Sequence, residues 1–143
     1  MTDGIQSGMV EVKCGDLTGP ALDWAVAQVD GVKTIMLGVK SQEAKKPFAI
    51  FGSLALPVGS GEEGYTPSTC WHCGGPLIAS HQIELEWDGV DGKALWWKAT
   101  HQDIVQFQMG ETPLIAACRA IIAAHLGEVV SVPAELIENK SRE

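Results

Sequence analysis

The sequence predicts a small α+β domain: about five mainly antiparallel strands packed with two main helices as an α/β sandwich. Three observations predict it. The chain has 143 residues, a length that suits one domain with one core. One stretch, Gly110 to Gly127, is apolar on every side and carries start and stop signals for a helix. Several short segments alternate apolar and polar residues with the period of a strand. Residues 1–143 are read as a single domain, with 1–8 as a loose leader and 134–143 as a loose tail.

Met9-Val-Glu-Val-Lys13 alternates and opens the chain as a strand. Leu17 to Gly31 is the first helix: Gly-Pro opens it, Asp23 suits the dipole of its first turn, and Gly31 closes it. Leu22, Ala25, Val26 and Val29 form its apolar stripe. Trp24 falls about 160° from the stripe centre, so it either caps a neighbouring element or lines a binding surface. Val32–Val39 and Pro47–Leu56 read as strands around a polar turn, and Val58–Gly64 reads as a glycine-rich loop. Ile83-Glu-Leu-Glu-Trp87 and Lys93–Lys98 form a hairpin. With Trp87 facing Lys93, Ile83, Leu85, Trp87, Leu95 and Trp97 share the core face and Trp96 lies outside. Ile104–Met109 alternates as one more strand, and Val129–Ile137 is a short extended piece with a weak terminal turn.

The central helix begins with Thr112 as N-cap and Pro113 at its first position, and Gly127 ends it. Leu114, Ile115, Cys118, Ile121, Ile122 and Leu126 cover one arc and suit a sheet. Ala116, Ala117, Ala120, Ala123 and Ala124 cover the other and suit a close neighbour, either another helix or a second subunit. Arg119 lies at the seam. It either snorkels or pairs with an acid, or it holds an anion in a cleft.

The net charge of −8 argues against a nucleic-acid partner, which needs a basic footprint. Lys40, Lys45 and Lys46 cluster, but with Glu43 among them, as in a solvated loop. No apolar run is long enough to span a membrane. The first residues lack the charged and apolar regions of a signal peptide, so a cytoplasmic setting with reduced thiols is expected.

Cys70-Trp-His-Cys73 is the first candidate for chemistry. Zinc needs about four ligands, and His72, His81, Cys14 or Cys118 would have to complete this pair. It is therefore a weak metal candidate, and no cofactor is expected. A redox pair belongs at a helix N-terminus, and Gly74-Gly75-Pro76 reads as the wrong flank for one. His101 and His125 have no motif around them, and the dipole accounts for His125 in the last turn of its helix. No nucleophile elbow or phosphate loop is present. The stronger constellation is Tyr65, Thr66, Ser68, Thr69, Trp71, Gly74 and Gly75, with Arg119 and Trp24 as further ligand contacts. Rings stack on a base, and glycine N–H groups can form an anion nest. The same residues equally describe a structured turn, with Tyr and Trp as core anchors and Ser and Thr as caps.

Three segments in this order resemble the phage NinX-like proteins: Leu17-Thr-Gly-Pro-Ala-Leu-Asp-Trp-Ala-Val, Tyr65-Thr-Pro-Ser-Thr-Cys-Trp-His-Cys-Gly-Gly-Pro and Thr112-Pro-Leu-Ile-Ala-Ala-Cys-Arg-Ala. More distantly they are similar to phage proteins with an α/β/α-sandwich domain. The resemblance covers roughly residues 9–133. It implies a bacteriophage accessory protein made in the bacterial cytoplasm, without an established enzymatic activity. The chain departs from the family's usual residues at Cys70 and Cys73. On this reading the protein is non-enzymatic. It binds and sequesters a small nucleotide-like molecule, in one form an immune second messenger, as a counter-defence protein and a homo-oligomer. The alternative is an inhibitor of a host protein that uses Trp24 and Trp96 or Trp97 as anchors. A hydrolase of the same messengers ranks last.

Overall fold

The computed structural model describes residues 8–38, 45–59, 64–90 and 93–137. The leader before Gly8, the polar turn with Lys40, the middle of the glycine-rich loop, the Asp91-Gly92 turn and the tail from residue 138 lie outside them.

Helix α3 (Pro113–Leu126) is the centre of the fold. Thr112 Oγ1 accepts the Ile115 N–H at 3.1 Å, and Gly127 ends the helix at φ 94°, as the caps predict. Replacing Thr112 with alanine leaves that N–H without its cap. It is expected to cost about 1 kcal/mol, read as a lowered midpoint in urea unfolding.

Around α3 pack α1 (Gly19–Val29), α2 (Trp71–Ser80), a short 3-10 turn (Cys14–Asp16) and two of three antiparallel sheets. The first sheet pairs β1 (Met9–Lys13) with β8 (Val129–Pro133), with Val12 opposite Val130. The second joins β2 (Lys33–Leu37), β3 (Lys46–Phe51) and β4 (Leu54–Pro57) and lies against α1. The third joins β5 (Glu84–Val90), β6 (Lys93–Thr100) and β7 (Gln108–Gly110) and lies against α3. The alanines Ala116, Ala117, Ala120 and Ala123 are buried within the chain, where small side chains let α1 and α2 approach. Leu136 and Ile137, expected in a loose tail, pack against the core.

The α+β class stands, and four details differ from the sequence reading. The Pro47–Leu56 strand breaks at Gly52, whose φ of 64° turns it into the β3–β4 hairpin. In the β5–β6 hairpin Trp87 faces Trp97 rather than Lys93. The pairing moves by an even number of residues, so Leu85, Trp87 and Trp97 stay together on one side and Trp96 with Glu84 and Glu86 on the other, but Trp87, expected on the core face, is 53% exposed. Residues 104–107 are not a strand, and Val105 is 99% exposed. Only Gln108–Gly110 pairs with β6, because the preceding residues swing out to form the rim of a cleft. Finally, Trp71–Ser80 is a helix where glycine and proline predicted a loop.

Helix α2 forms against local propensity because its glycine is needed for packing. A Cβ on Gly74 would strike the carbonyl oxygen of Pro67 and come within 2.9 Å of Leu114 Cδ2. Only a bare Cα lets α2 settle on α3.

Candidate functional site

The Tyr65–Gly75 segment is built inward. Tyr65 N–H donates to Pro57 O at 2.8 Å and Gly59 N–H to Tyr65 O at 3.0 Å, which stitches the segment to the end of β4. Thr69 and Cys70 N–H groups both donate to Thr66 O, at 3.0 and 2.8 Å. Tyr65, Thr66, Pro67 and Ser68 are buried, while Thr69 and Trp71 are exposed. Gly74 and Gly75 lie inside α2, and the Gly74 N–H is committed to Cys70 O at 2.8 Å. That N–H therefore takes no part in an anion nest. Trp24 is half-buried and packs against both core clusters.

The residue that holds the turn is Asp23, which the sequence offered only as a dipole partner. Its side chain is 1% exposed. Its Oδ1 accepts the Ser68 N–H at 2.8 Å. Burial pushes its pKa up to about 6, against the downward pull of the Ser68 bond. Among the described residues no cation pairs with it. The available signal was an acid inside Ala21–Val29, a run otherwise almost wholly apolar.

Arg119 acts elsewhere. Its Nε and Nη2 donate to Leu17 O at 3.1 and 2.9 Å, and Nη1 donates to Met109 O at 2.6 Å. The fork thus ties the entry of α1 and strand β7 to α3. A guanidinium has five N–H donors, so these three bonds leave two. Arg119 also lines a cleft of about 580 Å³ between the Cys14–Asp16 turn, the rim that precedes β7, and α3. Burial pulls its pKa down from the ordinary arginine value, opposed by Asp16 and other nearby anions.

Trp96 and Phe107 supply aromatic wall, 42% and 46% exposed. Lys98 Nζ sits 4.7 Å from the centre of the Phe107 ring and helps to hold it. Lys13 adds a second cation, and Asp16, Glu111 and Glu128 add three carboxylates. The sequence reading found Arg119 but not its neighbours, which come from β1, β6, the β7 rim and the end of α3. The cleft and the Tyr65–Gly75 turn are separate places: Tyr65, Thr66, Ser68, Thr69, Trp71, Gly74, Gly75 and Trp24 do not line the cleft.

The profile of the family described as Bacteriophage P22, NinX matches residues 13–125. The chain belongs to this phage family. The NinX match spans Asp23, the Tyr65–Gly75 turn and Arg119, and ends before Glu128, Val129 and the rest of β8. Among curated proteins, none matches the chain.

In this NinX chain all four cysteines are free, with Cys14 and Cys118 buried and Cys70 and Cys73 half-buried. Among the described residues no three His, Cys, Asp or Glu side chains converge to hold a metal, so the Cys70–Cys73 pair gains no further ligands there. His81, His125 and His101 lie ring against ring, with centroids 5.1 and 6.2 Å apart along that series. His101 Nδ1 accepts the Asp103 N–H at 2.9 Å, which accounts for its orientation. No helix among the described residues is long and apolar enough to cross a membrane.

Proposed function

We propose that this phage accessory protein binds and sequesters a small nucleotide-like molecule in the Arg119 cleft, without transforming it. One observation carries the reading: a fixed guanidinium with two N–H donors that find no partner among the described residues lies in a cleft whose wall includes the exposed Trp96 and Phe107. The volume of about 580 Å³ falls within the range of small-molecule sites. Aromatic rings take the flat face of a base, and the guanidinium takes an oxygen of a phosphate or a carbonyl. The charges narrow the ligand further. Two cations face three carboxylates, so a nucleoside or a single phosphate ester suits the cleft better than a polyphosphate chain.

The test is thermal shift against nucleosides, mononucleotides, cyclic nucleotides and NAD-derived molecules, with mass spectrometry of whatever is bound. A ligand at 100 times its Kd stabilises by about 2.7 kcal/mol, a visible shift. Recovery of the ligand intact supports sequestration, and recovery of an altered ligand makes the protein an enzyme. Trp96→Ala removes an exposed ring and is expected to weaken binding about tenfold to a hundredfold, from the typical worth of base–aromatic stacking, with little change in stability.

A second reading has its own observation. Trp71 and Trp87 are more than half exposed, and large aromatic rings at a surface serve as anchors for a protein partner. Of the anchors expected from the sequence, Trp24 and Trp97 pack against the core, while Trp96 is 42% exposed and lines the Arg119 cleft. An absence of any shift across the panel overturns the sequestration reading in favour of host-protein inhibition through Trp71 and Trp87.

A further inference from the structure

We infer that Cys70 and Cys73 form a thiol–disulfide exchange centre, with Cys70 as the attacking sulfur and Cys73 as the resolving one. The flank Gly74-Gly75-Pro76, which the sequence set against a redox site, lies inside α2, and Cys70 is the N-cap of that ten-residue helix. The Cys73 and Gly74 N–H groups close the first turn on Cys70 O, at 3.1 and 2.8 Å, which sets Cys70 at the open N-terminal end of the helix. An anion at this position meets orphan donors and the positive end of the helix dipole. One turn on, Cys73 Sγ lies 3.8 Å from Gly64 O.

Their surroundings differ in the sense that exchange requires. The helix N–H groups pull the Cys70 thiol down, towards the thiolate. Burial pushes the Cys73 thiol up, and the charges of Cys70 and the buried Asp23 add to this. Nearby in the chain, Tyr65 Oη is buried without a hydrogen-bond partner among the described residues, and burial first, then the charges of Asp30, Cys118, Asp23 and Cys73, push its pKa up. Trp71, between the two cysteines, is 56% exposed and offers an apolar surface beside the nucleophile. Cys14 and Cys118 are buried and do not compete.

The partner is an accessible disulfide of the glutathione type. The Cys70 thiolate attacks one of its sulfurs. A bond forms from Cys70 to that sulfur, the external S–S bond breaks, and one thiolate leaves. Cys73 then loses its proton, attacks the Cys70 sulfur and expels the second thiolate. The protein's two thiols are oxidised to one disulfide, and the external disulfide is reduced to two thiols that take up the two protons.

The test treats the reduced full chain with oxidised glutathione, quenches with acid, alkylates and maps the peptides by mass. Wild type is expected to accumulate the Cys70–Cys73 disulfide. Cys73→Ser is expected to stop at a glutathione adduct on Cys70. Cys70→Ser is expected to react at least about tenfold more slowly at Cys73. Equal reactivity of the two single variants, or no adduct in Cys73→Ser, overturns the assignment. A measurement on the unmutated chain guards against misfolded variants. The pH profile of iodoacetamide alkylation should rise for Cys70 well below the pH at which it rises for Cys73, and coincident profiles overturn the inference. Asp23→Asn should shift the Cys73 profile to lower pH and leave that of Cys70 in place. An unmoved Cys73 profile removes Asp23 from the centre.

Discussion

Arg119→Met is expected to destabilise the protein by about 2–6 kcal/mol. The side chain donates three hydrogen bonds to two carbonyls, Leu17 O and Met109 O. Leu17 is fully buried. Methionine fills similar volume but donates nothing, so both acceptors lose a charged partner, and an orphaned buried acceptor costs roughly 1–3 kcal/mol. Small domains are stable by only about 5–15 kcal/mol, so the loss is a large share of the whole. Urea unfolding checks it. Arg119→Lys keeps the charge but not the fork, and it is expected to recover only part of the loss. Since Arg119 supports both the fold and the cleft, Trp96 is the better residue for probing binding.

Asp23→Asn is expected to act in the opposite direction, and only above acidic pH. The carboxyl is raised from 3.8 to about 6 by burial. A folded value above the unfolded one means that the group favours folding while protonated. That contribution is complete below about pH 4 and is lost as pH rises through about 6, and the shift corresponds to about 3 kcal/mol. Asparagine has the same shape, still accepts the Ser68 N–H and never ionises. The variant should match wild type near pH 4 and exceed it by up to about 3 kcal/mol at pH 8. Paired urea titrations at the two pH values read this directly. A buried acid without a cation partner among the described residues, which lowers stability at neutral pH, is characteristic of a residue kept for function.

The parts of the fold that were legible carry their own local signals. Thr112, Pro113 and Gly127 bracket α3, and period-two alternation marks β1, β5 and β6. Helix α2 was hidden because Gly74, Gly75 and Pro76 disfavour a helix, and the reason they stand there is the contact of Gly74 with Pro67 and Leu114. That contact is tertiary and has no trace in local pattern. The same hidden helix concealed the setting of Cys70 and Cys73, whose meaning depends on a helix N-terminus. In the candidate site Arg119 was legible as a lone charge on an apolar helix. Its cleft partners Lys13, Asp16, Trp96, Phe107 and Glu128 are spread over most of the chain and meet only once the sheets are formed. Asp23 looked like an ordinary first-turn acid because its partner, the Ser68 N–H, lies 45 residues away.

The most direct test of the ligand reading is an amide chemical-shift map of the labelled protein, with and without a nucleoside monophosphate that shifts its melting temperature. The account predicts that perturbed amides cluster at Gly15, Gln106–Glu111 and Arg119, with the Trp96 indole N–H among them. Perturbations centred on Thr66–Gly75, or none above those from an equal concentration of salt, would contradict it.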